Sequence, residues 1–155
     1  MLAGQVPEQV RARLVSLGAR SQTFDQPEER ALEWAQAAAP VDALVCATGG
    51  LPAVDGAWVA ISALASGALI PAGAGVIVLL APSPESVPHA EAVRAALDNL
   101  ARTLSVEWAR YGITITVLAP GRETGEDDLA TLVAFLCSEA GAYYSGCRFE
   151  LDSLA

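Results

Sequence analysis

The run Val76 to Ala81, VIVLLA, constrains this chain more than any other segment: six consecutive apolar residues held between Gly75 and Pro82. A strand with one wet face alternates apolar and polar side chains, whereas a strand without alternation is covered on both faces. Six residues between breakers is strand length, and Val and Ile favour that conformation. A doubly covered strand requires helices above and below the sheet, which makes the chain α/β. Asp42 to Ala47 (DALVCA), followed by Thr48-Gly49-Gly50, and Ile113 to Ala119 (ITITVLA) repeat the pattern.

Helical spacing fills the intervals. Apolar residues at Val6, Val10, Leu14 and Leu17, ended by Gly18, predict a first helix. Arg20 to Phe24 reads as a short strand, and Asp25-Gln26-Pro27 opens a helix from Glu28 that ends near Ala39-Pro40. Trp58 to Leu69 reads as a helix. Pro88 to Arg110 is the longest, with Val93, Leu97, Leu100, Leu104 and Trp108 on one face and the small residues Ala92, Ala96, Asn99 and Thr103 on a neighbouring one. Asp127 to Ser138 is a further helix and Cys147 to Leu151 a last strand. The alternation predicts one domain over residues 1–155, a three-layer Rossmann-like sandwich whose mostly parallel sheet has about five strands.

Charge narrows the function classes. The formal net charge is −9, and the nine basic residues are all arginine, dispersed singly. Binding a phosphate backbone needs clustered positive charge, so neither nucleic acid nor an anionic membrane is expected as a partner. No secretory signal is visible at Met1 to Gln5. The apolar stretch Trp58 to Leu80 is interrupted by Gly67, Pro71, Gly73 and Gly75, so no membrane span is expected and a cytoplasmic location is the default. Cys46, Cys137 and Cys147 lack metal-ligand spacing and read as reduced thiols, so no metal site is expected.

Ala92 to Gly121, AVRAALDNLARTLSVEWARYGITITVLAPG, resembles the long helix, following strand and Pro-Gly turn of the short-chain dehydrogenase/reductase family. Val41 to Gly50 is similar to that family's strand ending in Asn-Asn-Ala-Gly, and Gly75 to Pro82 to the strand that ends at its catalytic serine. Asp127 to Asp152 resembles its closing helix and last strand. The resemblance runs from about Gly18 onward. It implies a Rossmann-like fold, NAD(P) as cofactor, and a dimer built on the long helix.

The departures fall on the chemistry. The family's Thr-Gly-x-x-x-Gly-x-Gly phosphate turn is not recognisable, Gly4 and Gly18 stand alone, and two strands with that turn are expected to be missing. The family's Tyr-x-x-x-Lys pair, in which lysine lowers the tyrosine pKa for proton transfer, falls on Ala90 and Arg94. No lysine exists elsewhere to replace it. The serine position falls at Ala81 or Pro82, with Ser83 a displaced substitute, and only Arg122 to Glu126 stands where the family has a substrate lid.

Four residues remain as candidates for catalysis. His89, Ser83, Glu91 and Arg94 cluster in sequence around the vacated positions, where a His-assisted proton transfer or hydrolysis is conceivable. Each also has a plain reading: His89 as a first-turn surface residue, Ser83 and Ser86 as turn and cap residues, Arg94 as the ion-pair partner of Glu91 or Asp98. Thr48, Gly49 and Gly50 are the vestigial cofactor-binding candidates, being at the carboxyl end of a strand where ligands of open α/β sheets sit. The acidic group Glu123, Glu126, Asp127 and Asp128 is accounted for by the helix macrodipole.

The sequence thus favours a non-redox protein on a degenerate scaffold of this family, without a bound cofactor, acting through dimerisation or by binding a small ligand or partner. The expected partner is a second copy packed on the 88–110 helix, or a full-length relative. An isomerase, cyclase or hydrolase in the old crevice is the second reading, and residual NAD(P)-dependent reduction, implied by resemblance alone, is the third.

Overall fold

The computed structural model describes residues 1–151. In chain order the elements are β1 (Leu2–Gly4), α1 (Glu8–Ser16), β2 (Thr23–Phe24), α2 (Glu28–Ala38), β3 (Ala43–Ala47) and α3 (Pro52–Leu64). A π-helical turn, Ala65–Leu69, leads to α4 (Ile70–Ala72), then β4 (Gly75–Leu80), α5 (Ala90–Trp108), β5 (Ile113–Pro120), α6 (Glu126–Leu136) and β6 (Cys147–Leu151).

All strands run parallel in one sheet of order β2-β1-β3-β4-β5-β6. The sheet therefore has six strands among the described residues, not about five, and the strand beside Ala43–Ala47 is Leu2–Gly4. Three residues carry too little periodicity to announce a strand. They hold their place because Leu2 and Ala3 are 3% and 2% exposed, one in each core layer. The expected loss of the first strand is thereby corrected, although the phosphate motif that should follow it is still missing. The polar segment shrinks to Thr23–Phe24 at the edge, where Phe24 packs edge-on against Trp34 of α2 with ring centroids 5.3 Å apart.

Strand alternation divides the core. Leu44, Cys46, Ile77, Leu79, Ile115 and Val117 face a layer covered by α2, α3 and α5, while Val45, Val78, Leu80 and Leu118 face α1 and α6. Both faces are dry, as the unbroken apolar runs predict. On α5 the buried set Val93, Leu97, Ala101 and Leu104 matches the expected apolar face, and Ala92, Ala96, Asn99 and Thr103 are exposed.

Of the expected breakers in the Trp58 to Leu80 stretch, Gly73 ends the helix as a left-handed cap at φ +69° and Gly75 begins β4, whereas Gly67 and Pro71 do not interrupt it. Helical backbone is continuous from Pro52 to Ala72, and this segment is long and apolar enough to cross a membrane, with half of its most apolar window buried in the protein. Burial is what its composition serves here. Gly67 lies so close to α2 that a Cβ there would meet the Ala35 Cβ at 2.9 Å, and such a contact admits only glycine.

Candidate functional site

The strand order reverses between β1 and β3, and their carboxyl ends open a crevice of about 310 Å³. Gln5 and Pro7 contribute from the turn after β1, Thr48 and Gly49 from the turn after β3, and Ser83 from beyond β4. Pro120, Thr124 and Glu126 close it at the start of α6. This is the position at which open parallel sheets bind ligands. A larger hollow of about 820 Å³ lies at the opposite, amino edge between Leu2, Ala19, Asp42 and Cys137, away from every candidate catalytic or cofactor-binding residue.

Thr48 is the polar residue that matters most. It is 2% exposed, its backbone N–H donates to the Leu80 carbonyl at 3.0 Å, and its Oγ1 is buried with no hydrogen-bond partner among the described residues. Two residues earlier, burial pushes the Cys46 thiol up to about 12, a rise that the Thr48 hydroxyl nearby only partly offsets. That influence falls short of hydrogen-bond geometry, and a thiol is a weak partner in any case. Gly49 also lines the crevice, whereas Gly50 does not. A Cβ at Gly49 would meet nothing within 4 Å, so its turn leaves open space above the site.

The four catalytic candidates are not brought together. Ser83 alone lines the crevice, and its carbonyl accepts from the Ser86 N–H and Oγ in a local turn. His89 is exposed and sits at φ +60°, with its carbonyl capping the N–H groups of Ala92 and Val93. The Glu91 side chain is 75% exposed. Neither His89 nor Glu91 reaches the crevice wall.

Arg94, at the family's lysine position, is 4% exposed. Its Nη1 donates to the carbonyls of Pro82 and Pro120, each at 2.9 Å, and so ties together the chain ends leaving β4 and β5. Its Nε lies 3.5 Å from Glu91 Oε1. Of the two partners expected for it, Glu91 is found, while Asp98 pairs instead with Arg102 at 3.2 Å. Arg94 is thus a brace under the crevice wall. The connection from Pro120 to α6 is equally fixed: the Gly121 N–H donates to the Leu151 carbonyl and to Thr124 Oγ1, which in turn donates to Leu151. This strap is short, and among the described residues no segment from it roofs the crevice.

The residues do not fit a dinucleotide pyrophosphate. Gly4 does match the first glycine of the family's turn, because it has φ +71° and a Cβ there would lie 2.0 Å from the Ala47 carbonyl oxygen. Counting from Ala3-Gly4, the second and third glycines fall on Glu8 and Val10. Val10 is fully buried in the core beneath α6, and Glu8 puts a carboxylate in the first turn of α1. A phosphate cradle needs bare backbone N–H groups at a positive helix end, and both conditions are lost. Sequence reading did not use Gly4 as a marker of a strand end. The one available signal was a glycine directly after two apolar residues.

No family model matches the sequence. A tropinone reductase homolog of Arabidopsis thaliana is 29% identical over 122 residues, 59% of this chain and 45% of that protein. The chain thus spans less than half the length of that relative. Among solved structures, a Thermus thermophilus protein superposes with a TM-score of 0.80 at 20% identity, covering 97% of this chain and 96% of its own. An oxidoreductase of the short-chain dehydrogenase/reductase family from Burkholderia thailandensis gives 0.78 at 19% identity, covering 97% and 89%. The chain is thus similar in fold to solved structures of the short-chain dehydrogenase/reductase family, and in sequence to a tropinone reductase homolog.

Proposed function

We propose that this chain is a non-redox protein that binds a small molecule in the carboxyl-edge crevice. The observation that carries the reading is Thr48: a hydroxyl desolvated without a partner costs stability, and such a cost is expected where a polar group serves a ligand. Support comes from the ablated proton-transfer pair at Ala90 and Arg94, and from Glu8 and Val10 in place of the phosphate-cradling glycines. The crevice volume is at the lower end of the range for small-molecule sites. Its three cysteines are free thiols, which fits the reducing cytoplasm in which the proposal sets it.

The test is to map small organic probes, isopropanol and acetone, by amide chemical-shift changes. The expected result is a cluster of shifts at Thr48, Gly49, Ser83 and Thr124. Probes that gather elsewhere, or nowhere, overturn the reading. An isomerase, cyclase or hydrolase role for His89, Glu91, Ser83 and Arg94 gains no support from their dispersed positions.

A second reading, self-association through α5, rests on a separate observation. Ala92, Ala95, Ala96, Asn99 and Thr103 form an exposed small-residue face that continues to Val106, an aliphatic side chain left 79% exposed. A second copy, or a full-length relative, packed on this face would cover Val106 together with the small residues. Sedimentation at high micromolar concentration reads the outcome: a dimer that Val106→Glu converts to monomer supports pairing of two copies. A wild-type monomer unaffected by an added relative removes this reading.

A further inference from the structure

We propose that the outer edge of β6 is a contact between two copies of this chain, their β6 strands paired antiparallel about a two-fold axis at Phe149. The contact is independent of the crevice and of the exposed face of α5. β6 is the last strand of the sheet, and among the described residues it pairs with β5 alone. The register sets Cys147, Phe149 and Leu151 against Thr116, Leu118 and Pro120, and the Leu151 carbonyl accepts from the Gly121 N–H at 3.0 Å. In an extended strand alternate residues turn their N–H and C=O to opposite sides. Cys147, Phe149 and Leu151 therefore bond to β5, and Arg148 and Glu150 hold their backbone groups toward the open edge. Phe149 packs on the α1 and α6 layer, so the Arg148 and Glu150 side chains share the other face, where they form an ion pair with each other.

Charge selects the occupant and the register. Edge strands commonly carry charges that repel a second strand, but the order Arg148-Phe149-Glu150 is complementary to itself when reversed. An axis at Arg148 or at Glu150 would set like charges directly opposite one another. An axis at Phe149 sets each Arg148 opposite the Glu150 of the second copy. Those are also the two residues whose backbone groups face outward, so the same register forms four backbone hydrogen bonds and two opposite-charge pairs. On the other face Phe149 meets its own copy at the close, non-hydrogen-bonded position of the ladder. Tyr144 packs on Phe149 with ring centroids 5.2 Å apart and Phe135 on Tyr144 at 5.8 Å, and both outer rings are 37% exposed, so an aromatic surface continues back from the edge. A five-residue strand buries little area, which makes this a weak contact that fills at high concentration.

Amide hydrogen exchange and sedimentation of the whole chain, at low micromolar and at millimolar concentration, test this. The Arg148 and Glu150 amides should exchange freely in the dilute protein and about tenfold more slowly in the concentrated one. Val106→Glu should leave that protection unchanged, which separates this contact from pairing through α5. Arg148→Glu, which gathers four carboxylates around the axis, is expected to weaken association about tenfold, and Arg148→Glu combined with Glu150→Arg to restore it to within about threefold of the parent. Thermal melts show that each variant is folded. Exchange of both amides at one rate at every concentration, or a double swap that associates as weakly as Arg148→Glu alone, overturns the proposal.

Discussion

Two buried threonines give a sharp test of how the site relates to stability. Thr48 and Thr116 are each 2% exposed, but Thr116 Oγ1 donates to the Tyr144 carbonyl, whereas Thr48 Oγ1 has no partner. Valine matches threonine in shape and exchanges the hydroxyl for a methyl. At Thr48 the exchange removes an unpaired buried polar atom, whose cost is about 1–3 kcal/mol, and buries about 0.8 kcal/mol of new apolar surface. Thr48→Val should therefore stabilise the fold by at least about 1 kcal/mol, which for this chain length raises Tm by about 2–4 °C. Thr116→Val breaks a made hydrogen bond and orphans a carbonyl, so it should destabilise by about 1 kcal/mol after the methyl gain. Urea denaturation of the two variants beside the parent measures both signs. A Thr48→Val protein less stable than the parent by more than about 0.5 kcal/mol shows that the hydroxyl is satisfied in solution, and the reasoning from an idle polar group then collapses.

Arg94→Met leaves the Pro82 and Pro120 carbonyls without their donor and should cost about 2–4 kcal/mol, read as a lowered denaturation midpoint; a loss below about 0.5 kcal/mol contradicts the bracing role. Gly4→Ala must displace the Ala47 carbonyl and is expected to cost several kcal/mol. Gly18→Ala, at φ +92° with nothing within 4 Å, should cost only about 1 kcal/mol by the backbone preference alone. Equal effects at the two glycines refute the close approach of β1 to β3.

Burial holds the Cys46 and Cys137 thiols at about 12 and about 11, above the ordinary value of 9.0. The unfolded chain then ionises first, so this stability is complete below pH 9 and falls as pH rises toward 11–12. Cys46→Ala should flatten the decline of stability between pH 9 and 11 by up to about 1.4 kcal/mol per unit, and an unchanged slope contradicts the buried thiol.

Fold and site differed in how far they could be read from the sequence. Val76 to Ala81 announced a central strand because six apolar residues between glycine and proline leave few alternatives, and β4 occupies Gly75–Leu80. The long helix was equally legible, since its buried set Val93, Leu97 and Leu104 repeats at helical spacing. Leu2–Gly4 was not, because a three-residue strand owes its place to parallel pairing with β3 and not to any local pattern. The same holds for Pro52 to Ala72, where Gly67 and Pro71 looked like breakers until packing against α2 explained the glycine.

At the site, proximity in sequence misled for His89 and Glu91, which lie at the cap and in the first turn of α5 and are exposed. Proximity in space favoured Thr48 and Gly49, which the strand-end rule had marked, and Ser83, carried to the crevice beyond β4. Gln5 and Thr124 came from turns and Glu126 from the first residue of α6, places whose role depends on the strand order, and no local signal identified the first two.

The chain is expected not to hold a nicotinamide dinucleotide, and calorimetric titration with NADH and with NADPH at millimolar concentration tests this directly. With Glu8 and Val10 in place of the cradling glycines, neither titration should show saturable heat. A saturable isotherm with a Kd below about 100 µM, more than about 5.5 kcal/mol of binding, would contradict it.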